Sequence, residues 1–64
     1  MALTRKQFDI LAALADSEKA LTQRELEKTT GHSLGTVNKT SKELSALGYI
    51  EDGKITVSGA DALE

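Results

Sequence analysis

A threonine followed three residues later by glutamine or glutamate occurs twice early in this chain, at Thr4 with Gln7 and again at Thr22 with Glu25. Each pair reads as a capping box, in which hydroxyl and amide or carboxylate satisfy backbone N–H groups of a first helical turn that have no partner inside the helix. Apolar residues flank both boxes at the staple positions, Leu3 with Phe8 and Leu21 with Leu26. Two helix starts so close together confine the first helix to about residues 4–15. Its apolar stripe of Phe8, Leu11 and Leu14, with Ile10 beside it, recurs at helical spacing and gives way to the polar stretch from Asp16 to Lys19.

The second helix is predicted over about 22–29, and it is short. Thr29 and Thr30 are weak helix formers, and Gly31 can take the positive φ that ends a helix. Ser33 then reads as the N-cap of a third helix over 34–47, stopped by Gly48. The order is helix, tight turn, helix. Beyond Gly48 the period changes from helical to alternating. Asp52-Gly53, between Tyr49-Ile50 and Ile55-Thr56-Val57, predicts a β-hairpin over about 49–57, because both turn residues need positive φ. Ser58 is expected to cap a last short helical segment over 59–63. Leu11, Leu14, Leu26, Val37, Leu44, Leu47, Ile50 and Ile55 are expected to form the core.

Composition limits what such a chain can do. Sixty-four residues suffice for one domain, read as residues 1–64, and for one small core. Phe8 and Tyr49 are the only aromatics, and the absence of cysteine removes disulfides and thiolate metal sites. A reducing cytoplasm is the expected setting. No apolar run is long enough to span a bilayer and the N-terminus lacks the order of a secretory signal, so no membrane partner is expected. The net charge of −2 argues mildly against a polyanionic partner, but its distribution qualifies that. Residues 1–31 are balanced and residues 49–64 are acidic, which leaves the stretch around Lys39 and Lys42 as the only locally positive one.

The residues Gly-His-Ser-Leu-Gly, 31–35, match the G-x-S-x-G pattern of a nucleophilic serine on a strand-to-helix turn. That device needs a strand before the serine and a histidine base later in the chain. Here the preceding residues are polar and helical, and the only histidine, His32, sits inside the motif. The five residues are better explained as a turn: Gly31 ends helix two, Ser33 caps helix three, and Gly35 keeps its first turn bare. No catalysis is expected. His32 is expected to be an exposed turn residue, with a phosphate contact as the alternative, and a lone histidine makes no metal site, so no cofactor is expected.

On a helical wheel Val37, Ser41 and Leu44 share the core side of helix three, with Thr40 and Leu47 beside them. Gly35, Asn38, Lys39 and Lys42 gather on the opposite side, with Thr36 on one flank, and no acid precedes Glu43. A small, hydrogen-bonding, positive face at the N-terminal half of a helix is what entry into the DNA major groove requires. Asn38 can bond two edges of adenine, Lys39 can reach guanine acceptors or a phosphate, Lys42 can neutralise a phosphate, and Thr36 can meet a base or a thymine methyl. Gly35 lets the backbone come close. Backbone N–H groups near Thr22 and Gln23, and at the cap formed by Ser33, are candidates for gripping phosphates.

The stretch LTQRELEKTTGHSLGTVNKTSKELSALGYI resembles the helix-turn-helix of winged-helix regulators, including the MarR-like group. The matching parts are T-x-x-E-L opening helix two, the Gly31 turn, S-x-x-T-V-N-K in the recognition helix, L-x-x-L-G-Y-I leading into the wing, and T-V-S-G-A-D-A-L after it. The resemblance implies a small α+β winged helix, a three-helix cluster with a two-stranded β-hairpin wing, and double-stranded DNA as partner in transcription regulation. A regulatory or protein-interaction module without DNA binding is the alternative. Thr40 and Ser41 stand where the family more often has larger apolar residues, which implies a looser core under the recognition helix. Glu51 and Asp52 would repel phosphate at the wing. The long dimerising helices of MarR-like repressors have no counterpart here, which implies weak binding by a single domain. ITVSGADALE is similar to the region that joins a winged helix to a nucleotidyltransferase domain in some bacterial proteins of choline or sugar activation, which implies further domains beyond Glu64.

Overall fold

Residues Arg5–Asp16 form the first helix, α1, and Thr4 caps it: its Oγ1 accepts the Gln7 N–H at 3.2 Å while Gln7 Oε1 accepts the Thr4 N–H at 3.0 Å. The second capping box is formed in the same way. Thr22 opens α2, Gln23–Thr30, with its N–H donated to Glu25 Oε1 at 2.9 Å and its hydroxyl accepting the Glu25 N–H at 3.2 Å. The computed structural model describes residues 3–17 and 19–64. Met1, Ala2 and Glu18, the last within the polar stretch expected to end the first helix, lie outside the described residues.

Gly31 ends α2 in the left-handed conformation, φ 79°, and its N–H reaches Glu27 O. Two residues on, Ser33 caps α3, Leu34–Ala46. Gly48, φ 82°, then reverses the chain while the Tyr49 N–H returns to Leu44 O at 2.9 Å. The hairpin pairs β1, Ile50–Glu51, antiparallel with β2, Lys54–Ile55, in the register Ile50 opposite Ile55 and Glu51 opposite Lys54. Its turn residues Asp52 and Gly53 both have positive φ, 53° and 76°, as the Asp-Gly pair requires. A last helix, α4, spans Val57–Ala62. The architecture is α+β, a helix cluster bearing a two-stranded antiparallel wing.

The core lies where the three long helices meet. Ile10 and Leu11 of α1 and Val37 and Leu44 of α3 are fully buried, and Leu14, Leu26 and Ile50 are nearly so. Burying each such side chain contributes about 1.5–3 kcal/mol. Ile55 packs half-buried against this cluster, together with Leu3, Leu21, Tyr49 and Leu63.

Four expectations are corrected by these coordinates. Leu47 is not core: it is the C-cap residue of α3, past Leu44, the last buried residue of that helix, and is 55% exposed. Phe8, expected on the apolar stripe, is 44% exposed, whereas Ile10, expected beside the stripe, is fully buried. The alternating pattern stops earlier than Val57, which begins α4 and is largely exposed. The cap of that helix is Thr56, not Ser58. The Thr56 hydroxyl accepts the Gly59 N–H at 3.1 Å and donates to Gly48 O at 2.6 Å, tying the end of α3 to the start of α4. Gly59 is buried there so closely that a Cβ would overlap the Tyr49 carbonyl oxygen.

Candidate nucleic-acid interface

Because α3 buries Val37, Thr40 and Leu44, the rest of its circumference is set by the 100° step of the helix. Gly35, Lys39, Lys42 and Ala46 form the stripe opposite the core, and all four are exposed. Asn38, also exposed, belongs to the neighbouring stripe with Ser41 and Ser45, which turns toward the hairpin. Glu43, the acid that closes the positive stretch, is drawn to the other flank, where Gln7 Nε2 of α1 donates to its Oε1 at 3.4 Å. Lys39 and Lys42 therefore face solvent on a surface to which α3 itself contributes no carboxylate.

At the N-terminus of α3 the Ser33 hydroxyl accepts the Thr36 N–H at 3.3 Å and donates to Thr36 Oγ1 at 3.0 Å. The hydroxyl hydrogen is committed to a cap, and Thr36 is half-buried with its oxygen already accepting. Thr36 keeps one O–H to donate outward. Gly35 has ordinary φ and open space around the position of a Cβ, so neither strain nor crowding inside the fold requires glycine there.

The turn before Ser33 is held more firmly than an exposed loop. His32 is half-buried: its Nε2 lies 2.9 Å from Asp9 Oδ2 of α1, and its N–H reaches Thr30 Oγ1 at 3.3 Å. Arg5 contacts the other Asp9 oxygen at 3.3 Å. This corrects the expectation of an exposed His32, whose ring is turned toward α1 and away from Ser33. The partner is a carboxylate on a different helix, and no local pattern around His32 announces it.

Thr22 and Gln23 sit at the start of α2, and both are exposed. The Thr22 N–H is occupied by Glu25, which leaves those of Gln23 and Arg24 without a helical acceptor. Glu25 accepts that backbone bond, and the Thr22 hydroxyl and Lys19, 3.7 Å away, add to it; together they outweigh partial desolvation and hold its carboxyl below its ordinary value. A negative charge is thus already seated at this helix end. The Gln23 side chain borders a groove of about 280 Å³ whose other polar walls include Asn38, Ser41, Lys42 and Asp52. Gln23 and Asn38 are thereby brought together from two helices, while Thr22, Ser33 and Thr36 are taken up in capping. Ser41, placed on the core side by the wheel, instead lines this groove with Ser45 and Asp52, neither of which the sequence singled out as a candidate for binding.

Among the described residues no group of carboxylates and histidine is placed to hold a metal ion, and no helix is long and apolar enough to cross a membrane. The model of the MarR family matches residues 3–55, from the residue before the first cap to the end of β2. No curated protein and no solved structure matches the chain.

Proposed function

The chain belongs to the MarR family, and from that premise we propose that residues 1–64 act as one double-stranded DNA-binding unit of a transcription regulator, with α3 as the helix that enters the major groove. The observation that carries this reading is the stripe Gly35, Lys39, Lys42 beside Asn38: it is exposed, free of acids, and set opposite the side chains that bury the helix. Asn38 is suited to a bidentate contact with adenine, and Lys39 and Lys42 to guanine acceptors or phosphates. Thr36 has one hydroxyl hydrogen to offer a base. The Gln23 and Arg24 N–H groups and the Arg24 side chain serve register rather than sequence. The wing takes no part in this contact, because Glu51 and Asp52 would be repelled by phosphate.

Few phosphates are neutralised in such a complex, so binding by one chain is weak, with nonspecific Kd on the order of 10⁻⁴ to 10⁻⁶ M at physiological salt. A mobility-shift titration on mixed-sequence duplex at two salt concentrations tests the reading. Lys39→Ala is expected to weaken binding and to flatten the salt slope by about one unit. A parent chain that never shifts the duplex, or a variant indistinguishable from it, rejects the assignment.

A further inference from the structure

The groove between α2, α3 and the hairpin has a floor of Leu14, Leu21, Leu26 and Ile50 and a volume of about 280 Å³, just under the ~300 Å³ at which pockets for drug-sized ligands begin. Ser41 opens onto it. Its hydroxyl is shielded from solvent and has no hydrogen-bond partner among the described residues, a costly arrangement that a fold rarely keeps without a use. Two opposite charges also border the groove, Lys42 from α3 and Asp52 from the hairpin turn, and neither is engaged in an ion pair among the described residues.

An apolar floor, one buried donor and separate positive and negative groups at the mouth together describe a complementary ligand. We propose that the groove binds a free α-amino acid with a branched apolar side chain. Its carboxylate accepts from the Lys42 ammonium and, once the Ser41 side chain rotates into the groove, from the Ser41 hydroxyl; its ammonium donates to Asp52, and its side chain lies on Leu14, Leu26 and Ile50. A molecule of about ten non-hydrogen atoms fits within such a volume and binds with Kd on the order of 1 mM. Bound there, the ligand covers Asn38 and Lys42 and excludes DNA from them. This exclusion rests on the DNA reading above, whereas the binding does not.

L-leucine is the probe. Titrated into the full chain without DNA and followed by amide chemical shifts, it is expected to move Ser41, Lys42 and the hairpin turn saturably. Isocaproate, which lacks the ammonium, and isoamylamine, which lacks the carboxylate, are expected to bind roughly tenfold more weakly, as for one lost charge-assisted contact. Asp52→Asn keeps a turn-compatible residue, Lys42→Gln keeps the stem, and Ser41→Ala removes an unpartnered hydroxyl, so all three variants are expected to fold and to bind leucine less well. No saturable shift up to about 20 mM, a value well above the expected Kd, or equal binding of the two half-molecules, overturns the proposal. Saturating leucine is also expected to raise the concentration of chain needed to shift a duplex, and an unchanged duplex affinity overturns the exclusion. If the chain ignores duplex even without leucine, the DNA reading fails by itself while the titration still decides the site.

Discussion

Gly35 is the residue where the fold and the proposed DNA contact would make opposite demands. Nothing in the chain crowds the position of its Cβ and its φ is ordinary, so Gly35→Ala should stabilise the folded protein by about 0.5–1 kcal/mol through helix propensity. If the backbone approaches DNA there, the same substitution lowers duplex affinity while raising Tm, a split that thermal melting and a binding titration read together. Glu25 gives a second prediction. Its folded carboxyl is held below its ordinary value, so the stabilisation of the α2 start is complete above the usual glutamate range and is lost as pH falls through the lowered folded value. An acid titration of helical signal should accordingly show Glu25→Gln less sensitive than the parent in that window. These residues were readable in advance because a capping box is a local device: Thr4, Thr22 and Ser33 took up their roles within three residues of themselves. His32 was not readable, because its partner Asp9 lies on another helix and only the folded chain brings them within 2.9 Å.

At the level of elements, the wing and α4 depend on one close approach. A methyl group at Gly59 would overlap the Tyr49 carbonyl and come within 2.8 Å of Ile55 Cγ1, so Gly59→Ala should destabilise the fold by about 1–3 kcal/mol, measurable as a lower denaturant midpoint with an unchanged slope. The three main helices were legible to within a residue or two from caps and glycines. The hairpin turn was legible from Asp52-Gly53. The end of β2 was not, since Ile55-Thr56-Val57 has strand composition, and the bond from Thr56 to Gly48 O depends on where the hairpin brings the chain back. Leu47 was misplaced for a related reason. The wheel puts it near the core and Leu47 still follows the helical path, but the buried part of α3 ends at Leu44.

Across the whole molecule, the turn between α2 and α3 is anchored to α1 by Asp9, with Arg5 on the other carboxylate oxygen. His32→Leu should cost about 1.5–3 kcal/mol in chemical denaturation, the value of a hydrogen bond to a charged group, and His32→Gln should recover part of it. The outward face of α3 was legible in outline from the wheel, but its division was not. Only the packed hairpin shows Asn38 and Lys42 bordering a groove with Ser41, while Lys39 and Gly35 stand clear of it. This face is proposed to meet a duplex. Amide shifts recorded as duplex is added to the labelled chain report that contact residue by residue: the largest changes are expected on Gly35, Asn38, Lys39 and Lys42, with Gln23 and Arg24 following. Changes centred on α1 or the hairpin tip, with α3 unmoved, would contradict it.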